Sequence, residues 1–135
     1  MSAKEYQVYV KGKVYPKSEA KVSVYDHGLL YGDGVFEGIR VYDGVIFQGA
    51  EHVCRLYRSA KAIKLGIPIS MDEMTTALVA TIRVNKLRDA YIRLIVTRGV
   101  GDMGVDPKKC TNSTIIIIAE PMEATYGKEA KEKGI

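Results

Sequence analysis

The chain has no tryptophan, two phenylalanines, two cysteines, two histidines and four prolines among 135 residues, and each scarcity removes a class of explanation. Cys54 lies inside a helical pattern and Cys110 in a loop. Without a CxxC spacing or histidines at ligand distance they make neither a disulfide framework nor a zinc cluster. Both read as free thiols, and no metal is expected. The longest apolar run is Ile115 to Ala119, and Met1 to Lys13 carries no apolar stretch behind its charges. Neither a membrane span nor a secretory signal is read, which implies a cytoplasmic protein without a membrane partner. Asparagine and glutamine occur twice each, a depletion in the direction of heat-adapted proteins.

An excess of one charge is nearly absent too. The net charge is +4, but the basic residues are scattered, and from Lys128 to Lys133 they alternate with glutamates. No concentrated basic face results, so nucleic acid is not an expected partner.

What is present is 47% hydrophobic content, enough for one domain with a core of its own. Gln7 to Val10 and Val14 to Pro16 read as an antiparallel pair around Lys11-Gly12-Lys13, with Lys21 to Tyr25 as a further extended run. A glycine-bearing loop spans Asp26 to Gly34. Val35 to Tyr42 is extended, Asp43-Gly44 is a two-residue hairpin signal, and Val45 to Gln48 returns. From Ala50 the period changes: Val53, Leu56, Tyr57, Ala60 and Ile63 form one apolar helix face, which Gly66 and Pro68 stop.

Ser70 with Glu73 is a capping box, opening a second amphipathic helix through Met74, Ala77, Leu78, Thr81 and Ile82 to about Lys86. Ala90 to Thr97 is extended, with Ile92, Leu94 and Val96 on one face and Tyr91, Arg93, Ile95 and Thr97 on the other. After a loop from Gly99 to Asn112, Thr114 to Ala119 suits a strand buried on both faces, ended by Glu120-Pro121. The implied class is α+β, a largely antiparallel sheet with two helices on one face. Residues 1–121 read as a small N-terminal domain, and residues 122–135 as a linker and the start of another unit.

Several motifs dissolve on inspection. Gly99, Gly101 and Gly104 spell G-x-G-x-x-G after a strand, yet about ten residues lead to the next strand and leave no crossover helix to aim at a pyrophosphate. The serines lack a G-x-S-x-G elbow. His27 and His52 read as turn or packing residues, and Asp72 and Glu73 as first-turn carboxylates complementing the helix dipole. What survives is Leu30 to Arg40, Arg55 on the first helix, and Tyr91-Ile92-Arg93. Alternation puts Phe36, Gly38 and Arg40 on one strand face, and Tyr91 and Arg93 on one face of theirs. If those faces coincide they make an aromatic wall holding guanidinium groups, suited to a small apolar substrate with an anionic group. Spacing alone leaves ordinary sheet packing open.

These residues resemble the pyridoxal-phosphate (PLP) aminotransferases of fold type IV, which include branched-chain aminotransferases, D-amino-acid aminotransferases and aminodeoxychorismate lyases. Tyr31-Gly32 and Val35-Phe36-Glu37-Gly38-Ile39-Arg40, with the Tyr42-Asp43-Gly44 hairpin, resemble the opening motif. His52-Val53-Cys54-Arg55-Leu56 resembles the helix whose arginine binds the cofactor phosphate. Ala90-Tyr91-Ile92-Arg93 resembles the substrate-side strand, and Gly101 to Pro107 the loop closing over the pocket. Glu37-Gly38-Ile39-Arg40 with Tyr91-Ile92-Arg93 points to the branched-chain branch. Leu94 through Gly99 is also found in the D-amino-acid branch, which stands as the alternative together with the lyases.

The resemblance implies a homodimer or higher homo-oligomer acting on amino acids and 2-oxo acids with PLP. It implies that Arg55 holds the 5'-phosphate and that Phe36, Gly38, Tyr31 and Tyr126 line the side-chain pocket. Arg40, Tyr91 and Arg93 would meet polar groups of the substrate, and Val105 would reach a neighbouring subunit's site. The family's Schiff-base lysine and the carboxylate at the pyridine nitrogen would follow Ile135. Lys61, Lys64 and Lys86 sit off their apolar helix faces and read as solvated, so no catalytic residue is expected in this chain and by itself it is expected to be inactive. A reading of another class is a non-catalytic small-ligand or interaction domain.

Overall fold

The architecture is that of a computed structural model, which describes residues 5–122. Six strands form one sheet: β1 (Gln7–Val10), β2 (Lys13–Pro16), β3 (Gly34–Tyr42), β4 (Val45–Ile46), β5 (Ala90–Thr97) and β6 (Thr114–Pro121). Their order across the sheet is β2-β1-β6-β5-β3-β4, with every pairing antiparallel. Two long helices, α2 (Gly49–Ala62) and α3 (Met71–Val84), contact the sheet through β3, β1 and β6 and contact each other. A short helix, α1 (His27–Tyr31), precedes β3. The expected α+β class, antiparallel sheet and helix pair are all observed.

Local chemistry explains the joints. Asp43 and Gly44 both have positive φ, 50° and 81°, the backbone of a type I′ turn whose twist matches the flanking strands. At α3 the capping box closes in both directions, Glu73 N–H donating to Ser70 Oγ and Ser70 N–H to Glu73 Oε1. The core lies between sheet and helices. Ile39 and Val41 of β3, Ile92 and Leu94 of β5, Leu56 of α2 and Leu78 of α3 are fully buried there.

Four segments depart from the pattern-based reading. Lys21 to Tyr25 is not a strand but an irregular stretch. Its Val22 lies beside Val8, Val10 and Ile116, so this stretch shields the β1–β6 end of the sheet's other face. The Asp26 to Gly34 loop contains α1, because the Asp26 carboxylate caps it by accepting from Gly28 N–H. The strand after the hairpin stops at Ile46, since Gln48 takes a left-handed conformation to open α2. β6 runs to Pro121, and its isoleucines divide: Ile115 and Ile117 are buried, while Ile116 and Ile118 are half-buried on the face without helices.

Candidate active site

The face that the helices leave open is where five of the predicted residues, Phe36, Gly38, Arg40, Tyr91 and Arg93, meet. Register pairs Gly38 with Arg93 and Arg40 with Tyr91 across β3 and β5, and Arg93 with Ile118 across β5 and β6. Strand alternation then places Phe36, Gly38, Arg40, Tyr91 and Arg93 on one surface. Their exposure agrees: Phe36 keeps 63% of its surface in water, an unusual state for a large apolar ring in mid-strand.

Two guanidiniums are fixed on this surface. Arg93 lies 5.2 Å from the Phe36 ring centre and 5.6 Å from that of Tyr91, close enough for cation–π attraction to both. Its Nε–H also donates to the Tyr91 hydroxyl at 3.2 Å. Arg40 points the same way, with Nη1 against the Met122 sulfur. Gly38 makes room for this arrangement, because a Cβ there would stand 3.1 Å from Tyr91 Cζ and nearer still to the hydroxyl. Together Arg40, Tyr91, Arg93, Ile118, Glu120 and Met122 border a hollow of about 570 Å³. A second hollow of about 360 Å³ includes Phe36, Arg93 and Ile95 and has mainly apolar walls. The surface can therefore hold a small molecule with an apolar side chain and a carboxylate.

Arg55 stands elsewhere. It projects from α2 in the helix layer, and its Nε and Nη2 donate to the carboxylate of Glu37 at 2.9 and 2.8 Å. By alternation Glu37 points away from Phe36 and Gly38. The two groups of residues thus lie on opposite faces of β3, whose outer edge β4 covers only at Val41 and Tyr42. His52 also donates to Glu37, through Nδ1 at 2.7 Å. Burial alone pushes the Glu37 carboxyl up, but the hydrogen bonds and charge of Arg55 and His52 outweigh it and leave the pKa below its ordinary value. In turn Glu37 raises the Arg55 pKa.

Tyr31 and Val105 line neither hollow. The Tyr31 hydroxyl donates to the Met103 carbonyl, and its ring meets His27 edge-on at 5.1 Å. Val105 sits in the following loop with 72% of its surface exposed. Tyr126 lies outside the described residues, as does nearly all of 122–135.

Sequence patterning passed over Glu37 as anything but part of a motif. Its signal was the alternation itself, since Val35, Glu37, Ile39 and Val41 face the core and a carboxylate there demands partners. His27, expected to be a turn or packing residue, is fully buried and joined through Nε2 to the Asp102 carbonyl at 2.8 Å.

The amino-transferase class IV profile matches residues 34–133. The chain belongs to the class IV aminotransferases. Among relatives of this class IV chain, a protein from Methanocaldococcus jannaschii named a putative branched-chain-amino-acid aminotransferase is 58% identical over 123 residues, covering 91% of the chain and 43% of the relative. The crystal structure of the Escherichia coli branched-chain amino acid aminotransferase superposes with a TM-score of 0.85 at 39% identity, over 94% of this chain and 43% of that one. A T.th. branched-chain amino acid aminotransferase complexed with N-(5'-phosphopyridoxyl)-L-glutamate superposes with a TM-score of 0.81 at 35% identity, over 90% and 42%. The class IV chain thus spans less than half the length of the proteins it matches, and its fold is that of the corresponding part of the branched-chain enzymes.

Proposed function

We propose that the intact protein transfers the amino group between the branched-chain L-amino acids leucine, isoleucine and valine and 2-oxoglutarate, with PLP as cofactor. The observation that carries this reading is the register of β3 against β5, which sets Phe36, Arg40, Tyr91 and Arg93 side by side on the uncovered face. Phe36 and the mainly apolar hollow beside it receive the apolar side chain. Arg93, Arg40 and Tyr91 receive carboxylate, including the distal carboxylate when glutamate occupies the same place, and the T.th. relative's complex with N-(5'-phosphopyridoxyl)-L-glutamate supports glutamate as one of the substrates. Similarity to enzymes named for branched-chain substrates favours leucine over D-alanine or aminodeoxychorismate.

Arg55 is suited to the cofactor phosphate. Glu37 takes only the Nε–Nη2 edge of its guanidinium, and Arg55 lines a hollow of about 160 Å³ together with Gln48, Glu51, His52 and Arg58. Two guanidiniums border that hollow, against the carboxylate of Glu51 in its wall and that of Glu37 on Arg55, and their N–H donors suit an anion. PLP, when bound, supplies the electron sink that labilises the substrate Cα–H bond. The lysine and pyridine-side carboxylate would come from a second domain into which residues 122–135 lead, residues 1–121 forming the small N-terminal domain. A homodimer or larger homo-oligomer is part of the reading: Leu29, Met103 and Val105 are exposed on α1 and the loop it holds, a surface for a neighbouring copy. So is a cytoplasmic setting, which keeps thiols such as Cys54 and Cys110 reduced.

The test is amino transfer by the intact protein with PLP. L-leucine and 2-oxoglutarate should react, with D-alanine and aminodeoxychorismate far behind. A preference for either of the latter would move the protein to another branch of the family, and no PLP binding at all would leave a non-catalytic binding module. Arg55→Ala should weaken PLP binding by about tenfold, the scale of one charge-assisted contact.

A further inference from the structure

Glu37 holds a position that sheet packing would give to a valine or isoleucine. It lies between Val35 and Ile39 on the covered face of β3 and keeps 5% of its surface exposed. An ionised carboxylate is costly there unless donors surround it, and α2 supplies them. His52 and Arg55, three residues apart and therefore on one helix face, both reach it: Oε1 accepts from His52 Nδ1 and Arg55 Nη2, and Oε2 from Arg55 Nε.

The manner of the pairing matters as much as its existence. A guanidinium has two bidentate edges, the side edge Nε–Nη2 and the end edge Nη1–Nη2. Glu37 occupies the side edge alone, and 60% of the Arg55 side chain remains exposed. Pairing at the side edge arrests the long, flexible stem and leaves the end edge pointing outward. We infer that Glu37 is a positioning residue that holds Arg55 so that its Nη1–Nη2 edge meets the phosphate of the cofactor. The inference rests on the assignment of Arg55 to that phosphate.

Two effects oppose each other. The negative charge of Glu37 repels a phosphate, which would make the site tighter without it. Against this, the guanidinium stands between the two anions, His52 shares the carboxylate, and the exposed outer side is screened by water. Bidentate contact depends on orientation, and a freed arginine must order several torsions on binding. Positioning therefore outweighs repulsion.

The experiment compares pyridoxal 5'-phosphate with pyridoxal, which lacks the phosphate, by titrating the intact apoprotein and reading cofactor absorbance. Glu37→Gln should weaken pyridoxal 5'-phosphate about tenfold while pyridoxal changes about twofold or less, and Glu37→Gln combined with Arg55→Ala should be no weaker than Arg55→Ala alone. Equal losses for both compounds would make Glu37 merely structural, and unchanged or tighter phosphate binding would make it only a damping charge. Either result overturns the inference.

If Arg55→Ala itself leaves the ratio unchanged, the assignment of Arg55 fails first and takes the inference with it. A crystal structure of the wild-type holoprotein decides independently of whether the variants fold. Arg55 must touch phosphate through Nη1 and Nη2 while Nε and Nη2 stay on Glu37. A phosphate-bound Arg55 detached from Glu37 overturns the inference.

Discussion

Tyr91 lies across the bare Cα of Gly38, and the hydroxyl end of its ring occupies the space that any side chain at position 38 would need. Because the same hydroxyl accepts from Arg93 Nε, the missing Cβ also decides where a guanidinium points. Gly38→Ala should swing Tyr91 aside and loosen Arg93, costing about tenfold or more in kcat/KM for L-leucine in the intact protein, since misplacement of about 1 Å can cost that much. Gly38 and Tyr91 are on the open face, away from the core between sheet and helices, so the thermal midpoint should hardly move. A variant with undiminished kcat/KM would remove Gly38 from the site.

The two faces of the sheet should answer truncation differently. Ile92 is fully buried against the helices, whereas Ile116 is half-buried on the other face. Ile92→Ala should cost about 2 to 5 kcal/mol, the range for large-to-small changes in a closed core, and Ile116→Ala distinctly less. Denaturant unfolding of the intact protein measures both, and equal costs would mean that the open face is as tightly covered as the core.

Much of this was legible in the residues. Alternation in Phe36-Glu37-Gly38-Ile39-Arg40 and Tyr91-Ile92-Arg93 assigns each strand's faces without knowledge of pairing, and the Asp43-Gly44 hairpin and Ser70–Glu73 capping box are local chemistry. Register was not legible, because nothing local in β3 or β5 says that Gly38 opposes Arg93 rather than Ile95. The irregular course of Lys21 to Tyr25 was hidden for a related reason. Its valines alternate like those of a strand, but Val22 packs onto the sheet instead of pairing with it, and only tertiary structure separates these outcomes. The position of Arg55 on the far face from Phe36 needed the packing of α2 on β3, which brings it to Glu37.

Glu37 should make itself felt in acid. Its carboxyl titrates below the ordinary value because hydrogen bonds from Arg55 and His52 outweigh the burial that raises it. A depressed carboxylate contributes stability that is whole above the unfolded glutamate pKa of about 4.3 and is lost as pH falls through the folded value. Wild-type protein should therefore lose stability more steeply than Glu37→Gln on acidification beneath that pKa, read as the denaturant midpoint against pH. Parallel curves would mean that the ion pair contributes nothing to folding.

Tyr57 should act at the opposite end of the scale. Burial first, and the charge of Glu73 second, push its phenol up to about 12, while its hydroxyl donates to the Ile69 carbonyl at 2.7 Å. An unfolded tyrosine ionises near about 10, so the fold favours the neutral phenol. That contribution is complete below the unfolded value, declines as pH climbs through the interval, and is gone above the folded one. Burial and the charge of Glu73 also raise the Tyr9 phenol, so near-ultraviolet absorbance of tyrosinate should show a late-ionising fraction from which Tyr57→Phe removes one group. The same variant should lose less stability across that alkaline interval than the wild type, because it has no phenol to ionise. A Tyr57→Phe titration curve with the late amplitude undiminished would mean that Tyr57 is not among the late-ionising tyrosines.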